Sequence, residues 1–160
     1  MTVKHICIIL LILASNSLHA QDTLLLGKWQ LVEMQKDSVI IFNRDDIEIT
    51  IEDARNRNKP LDSIEIQKYR EVTHPMMKKM FYHFFDNGSL IAGVLDLKDG
   101  KYLFIEKNGA FRTDGGKVGI GVEGGNDDYT YSIEGNVLTL TPIIGGEIYT
   151  RGYAKYERIK

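Results

Sequence analysis

Apolar and polar positions alternate with period two over much of this chain, and the alternation is interrupted by closely spaced turn residues. Gly27-Lys28-Trp29-Gln30-Leu31-Val32-Glu33-Met34 predicts a first strand, and Ser38-Val39-Ile40-Ile41-Phe42 a second. After the polar turn Asn43-Arg44-Asp45, Ile47, Ile49 and Ile51 alternate with Glu48, Thr50 and Glu52. That pattern predicts a third strand with one wet face. Asp53 to Lys59 is polar without periodicity and reads as a loop closed by Pro60.

The period then changes. Asp62 followed by Glu65 has the spacing of a capping box. Ile64, Tyr69, Val72, Met76 and Met80 fall on one helical stripe, interrupted by Pro75. The expectation is a helix over residues 62–73, then a kink or a second short helix with Pro75 in its first turn.

From Phe81 the period returns to two. Asn87-Gly88 between apolar runs is a strong hairpin signal. Asp99-Gly100 predicts a second turn and Asn108-Gly109 a third. Strands are predicted over Tyr129–Ile133 and Val137–Thr141, joined at Glu134-Gly135-Asn136, with a last strand from about Glu147 to Ile159. Such a run of eight to ten short strands predicts an up-and-down antiparallel β-barrel with a mid-chain helical insertion, since closure removes the sheet edges. A barrel of this size is either filled by side chains or has room for one small ligand.

The first twenty residues read differently. Lys4 and His5 precede the apolar run Ile6 to Ala14, and Ser17-Leu18-His19-Ala20 ends on a small residue. This is the pattern of a cleaved secretory signal peptide, too short to span a bilayer, which takes roughly 20 apolar residues. The expectation is a signal peptide over 1–20, one domain over 21–160, and a periplasmic or secreted protein. Cys7, the one cysteine, lies inside the apolar run and not at its end. A lipid anchor is therefore not expected, and the mature chain would have no thiol.

Composition narrows the function classes. With 20 basic and 22 acidic residues the net charge is -2, so no basic face is available to grip nucleic acid. Of the 15 glycines only Gly27 precedes Gly88, which places tight turns and bulges in the second half. Gly115 to Gly125 contains six of them, more than a turn requires, and reads as a loop that is either disordered or part of the barrel mouth where a partner would be met.

Gly119-Ile120-Gly121-Val122-Glu123-Gly124 matches Gly-x-Gly-x-x-Gly, but no helix start follows to meet a pyrophosphate. Gly124 to Asp128 lacks the remaining ligands of a calcium loop. His74 and His83 alone do not make a zinc site, and no serine occupies a nucleophile elbow. Adjacent carboxylates such as Asp45-Asp46 lie in turns and do not converge for acid–base work. No cofactor, metal or catalytic residue is expected.

Aromatic residues supply the positive lead. Tyr82 with Phe84, Tyr102 with Phe104, and Tyr129 with Tyr131 each share a strand face. Pointing inward, these six would line an apolar cavity with phenol hydroxyls as polar handles. Phe81, His83 and Phe85 would then pack outward against the Met76–Met80 stripe.

Gly27-Lys28-Trp29 at the head of the first strand resembles the Gly-x-Trp signature of the lipocalins. Leu25 to Leu31, Phe84 to Ser89, Tyr131 to Thr141 and the closing Tyr156-Glu157-Arg158-Ile159-Lys160 are similar in order to the lipocalin-like domains exported by Bacteroidota-type bacteria. The resemblance implies that an arginine of the last strand covers Trp29 at the barrel floor, with Arg158 the first candidate and Arg151 the second. It implies non-catalytic binding of a small lipophilic molecule. The alternatives are an envelope protein-interaction module with a filled barrel, then an enzyme of unrecognised type. The composition also admits a homodimer.

Overall fold

A computed structural model describes residues 22–56 and 61–160. The expected signal peptide, residues 1–20 with Cys7, lies outside the described residues. Eight strands close into one antiparallel barrel: β1 (Gly27–Lys36), β3 (Phe81–Phe84), β4 (Ser89–Lys98), β5 (Lys101–Asp114), β6 (Lys117–Val122), β7 (Gly125–Glu134), β8 (Val137–Ile144) and β10 (Tyr153–Ile159). The ring is sealed where β10 pairs with both β8 and β1. Two short strands lie off it: β2 (Val39–Asn43) pairs with the upper half of β1, and β9 (Glu147–Ile148) with the end of β8. The predicted last strand is thus two strands separated by a turn.

The helical insertion lies between β2 and β3. It comprises α1 (Ile47–Arg55), α2 (Ser63–Lys68), a π-helical turn (Tyr69–Thr73) and α3 (His74–Met77). The capping box at Asp62 is formed as predicted, Asp62 accepting from the Glu65 amide at 2.8 Å and Glu65 from the Asp62 amide at 3.0 Å. The wide π turn ends two residues before Pro75 and contains Glu71, the residue whose carbonyl the proline ring would crowd in a regular helix.

Ile47 to Glu52 is a helix and not the predicted strand. Asp46 caps it, accepting from the Glu48 and Ile49 amides at 3.0 and 3.4 Å. Ile51 and Ala54 are buried on one helical face while Ile49 is exposed. The alternation of isoleucines is therefore incidental to a 3.6-residue period. The predicted loop after Asp53 is in part helix, which continues to Arg55.

The glycine-rich half also departs from expectation. Asn108-Gly109 lies inside β5 and not at a turn. A Cβ on Gly109 would collide with the carbonyl oxygen of Gly121, so this glycine permits close strand approach. The predicted Gly115–Gly125 loop is largely strand: Gly115 and Gly116 turn β5 into β6, and Gly124 helps turn β6 into β7. Between them, a Cβ on Gly119 would sit 2.9 Å from the Asp128 carboxylate.

The core is the barrel interior. Trp29, Leu31, Phe84, Leu90, Val118, Leu138 and Leu140 are fully or almost fully buried there. Phe84 meets Phe111 edge-on at 4.9 Å between ring centroids, a favoured aromatic geometry. Phe81 does not pack against the methionine stripe. It lies outside, with Lys28 Nζ 4.1 Å above its ring and Phe104 6.5 Å away. Met77 and Met80 instead belong to the interior cluster.

Candidate functional site

The two ends of the barrel are built differently. One is a closed floor, formed where the chain enters β1. Residues Thr23–Leu25 make a single 3-10 turn capped by Asp22, whose side chain accepts from the Leu24 amide at 2.9 Å. Leu25 is fully buried and accepts from the Trp29 indole N–H at 2.7 Å. Arg158 extends from β10 across the indole, its guanidinium carbon 4.2 Å from the ring centroid. It donates to the carbonyl of Leu26 at 2.8 Å and to that of Leu24. Arg151, the second candidate, lies instead over Tyr149 at 5.7 Å. A planar cation is suited to this position because it stacks and donates at once. Gly27 adopts φ +113°, and a Cβ there would come within 3.4 Å of Arg158 Nη1. Gly27, Trp29 and Arg158 thus form one structural unit at the floor.

Tyr131 belongs to this floor and not to a cavity. Its hydroxyl donates to Asp22 at 2.7 Å, and the Asp22 amide donates to Thr113 at 3.1 Å. Burial, then the adjacent Asp22, push the Tyr131 phenol well above its usual range. Phe84 is likewise committed to the packed core.

The opposite end is open. A cavity of about 380 Å³ is lined by Met34, Met80, Tyr82, Tyr129, Leu140 and Tyr156, with Ala154 and Pro142 completing the wall and Tyr149 and Tyr153 at the rim. Strand register explains this face. Trp29 pairs with Tyr82, Tyr82 with Ala92, Leu31 with Tyr156 and Tyr131 with Leu140, so all of these point inward.

Three tyrosines meet at the base of the cavity. The Tyr82 and Tyr156 rings are 5.3 Å apart, and Tyr129 lines the same cavity. Burial raises all three phenols above their usual range. The neighbouring Asp127 pushes Tyr82 and Tyr129 further in the same direction. These hydroxyls therefore stay neutral at physiological pH and serve as hydrogen-bonding handles, not as phenolate nucleophiles.

Of the six predicted cavity residues, the structure brings Tyr82 and Tyr129 to the cavity. Tyr102 and Phe104 lie on the opposite strand face. Phe104 pairs with Leu95 and contacts Phe81 outside the barrel, and Tyr102 is 45% exposed. The two-residue turn at Asp99-Gly100 fixes this by pairing Lys98 with Lys101, which turns Val94 and Ile105 inward. Tyr156, the most buried phenol of the site, escaped the sequence reading. It lies two residues before Arg158, so the parity that places Arg158 on the floor also points Tyr156 inward.

A closed antiparallel barrel with a Trp–Arg floor and an open, tyrosine-lined mouth is a lipocalin-like barrel, in agreement with the resemblance carried by Gly27-Lys28-Trp29. Among solved structures, the chain is similar to a DUF4847 family protein from Bacteroides vulgatus, at 16% identity and a TM-score of 0.51, over 84% of this chain and 93% of that one. It is also aligned with a lipocalin-like protein from Bacteroides uniformis, at 18% identity and a lower TM-score of 0.43, over 84% and 98% of the two chains. At these identities the likeness concerns the fold alone. No protein-family model and no curated protein sequence matches the chain. Among the described residues no helix is long and apolar enough to cross a membrane.

Proposed function

We propose that this protein binds a small lipophilic molecule, without catalysis, in the open end of its barrel. The observation that carries the reading is the 380 Å³ cavity over Tyr82, Tyr129 and Tyr156. Pockets of roughly 300–1,000 Å³ with apolar walls and a few convergent polar groups suit such ligands. What favours this reading over a filled barrel is that the cavity walls are inward-facing residues of β1, β3, β7, β8 and β10. The three neutral phenols provide hydrogen bonds for one polar group of the ligand, and Met34, Met80 and Leu140 provide the apolar wall. Unbranched, polarisable methionine adapts to ligands of different outline.

The segment Met1 to Ala20 addresses the protein for export, and binding then takes place in the periplasm or outside the cell. The support for this is the basic start, short apolar run and small terminal residue of the sequence. Native mass spectrometry of the purified mature chain, mixed with 1-decanol, tests the binding reading. A one-to-one adduct is expected, and a spectrum of bare protein at millimolar decanol contradicts it.

A further inference from the structure

A second cavity, of about 210 Å³, lies between β2 and the helical insertion, with Ile41 forming part of the wall of both cavities. Its lining is mostly carbon: Ile41, Ile51, Ala54, Ile66 and Met77. Its size matters, because an apolar cavity of about 150 Å³ is already enough to take up benzene.

One atom in this wall is out of place. Thr50 is 3% exposed, lines the cavity, and its hydroxyl has no hydrogen-bond partner among the described residues. A threonine in a helix ordinarily returns its hydroxyl to the carbonyl four residues earlier, and Thr50 in α1 does not. Two other hydroxyls belong to the lining: that of Tyr69, which donates to the Ile41 carbonyl at 3.0 Å, and that of Thr73. An unpaired buried hydroxyl is an unfavourable feature for folding alone. A lone water needs two to four polar partners to be held well, and this wall is mostly apolar.

We propose that the helical insertion carries its own ligand pocket, distinct from the barrel mouth. It takes a neutral molecule of about eight heavy atoms with an apolar body and one hydroxyl or carbonyl, which pairs with Thr50. No charged side chain lines the cavity, so an ionised ligand would be left without a counter-charge there. The insertion is then a recognition element and not only a connection between β2 and β3.

Benzyl alcohol and toluene test this directly, since they share a carbon skeleton and differ by one hydroxyl. Titrations are followed by methyl NMR of the whole mature chain. Benzyl alcohol is expected to shift the Ile51, Ile66 and Met77 methyls in a saturable way, and to bind three- to ten-fold more tightly than toluene. Thr50→Val, nearly the same shape without the hydroxyl, is expected to abolish that preference while toluene binding persists. Ala54→Leu is expected to weaken both ligands. If Ala54→Leu fails to fold, Thr50→Val decides the matter alone. The proposal is overturned if these methyls do not respond at millimolar ligand, or if the preference for benzyl alcohol survives Thr50→Val. Shifts confined to Met34, Met80 and Leu140 would also overturn it while leaving the barrel-mouth reading intact.

Discussion

The guanidinium of Arg158 lies 4.2 Å from the ring centroid of Trp29 and at the same time donates to two carbonyls of the turn that plugs the barrel. Through this pair the last strand, the first strand and the entering chain are joined at one point. Loss of the stacking and of charge-assisted hydrogen bonds is worth about 2 kcal/mol in sum. Arg158→Ala is expected to lower Tm by roughly 5–10 °C. Arg158→Lys is expected to recover only part of this, because an ammonium keeps the charge but lacks the planar fork. Trp29, the one tryptophan in the sequence, gives the fluorescence signal for both melts. Equal stability of wild type and Arg158→Ala would show that the pair is incidental.

Glycine substitutions separate crowding from flexibility. A Cβ at Gly109 meets the Gly121 carbonyl, whereas one at Gly125 meets nothing within 4 Å. Gly109→Ala is expected to cost about 1–3 kcal/mol through forced strand displacement. Gly125→Ala, at a position without positive φ, is expected to be neutral or to stabilise by about 0.5 kcal/mol. Urea denaturation of the two variants checks the contrast, and similar midpoints would refute it.

Acid stability should depend on Glu33. This carboxylate accepts from Tyr153 at 2.7 Å, Lys155 at 2.8 Å and Asn43 at 3.3 Å, joining β1, β2 and β10. Partial burial on its own would raise its pKa, but the hydrogen bonds and charge of Lys155, with Tyr153 and Asn43, outweigh this and hold it below the usual 4.5. A depressed carboxylate pKa stabilises the fold above that usual value, and the contribution fades as pH falls through the folded-state pKa. With Lys155 partly solvated, the effect is of order 0.5–1 kcal/mol. Glu33→Gln is expected to melt lower than wild type at pH 7 and to converge with it as pH falls below about 4.5. A gap that does not narrow as pH falls would rule out this ionisation as its source.

Several features were legible in the sequence because they are local. Asn87-Gly88, Asp99-Gly100 and the Asp62/Glu65 box are each specified by adjacent backbone geometry, and each forms where expected. What was misread depends on partners distant in sequence. Ile47, Ile49 and Ile51 satisfy a strand period, but Ile51 and Ala54 are buried together only when Asp46 caps a helix there. Asn108-Gly109 has the composition of a turn, and only the register of β5 against β6 shows why a glycine is needed. For the candidate site, parity grouped Tyr102 with Phe104 correctly, but which face is inside follows from pairing across the barrel.

The central claim is that the tyrosine-lined end of the barrel is a ligand site. Its most direct test is a methyl-NMR titration of 1-decanol into wild type and Ala154→Trp, in which the indole occupies the cavity beside Leu140 and Tyr156. The account predicts saturable one-to-one shifts at Met34, Met80 and Leu140 in wild type, with binding weakened at least ten-fold in Ala154→Trp and about three-fold in Tyr156→Phe. Unsaturable shifts, or an affinity unchanged by Ala154→Trp, would contradict it.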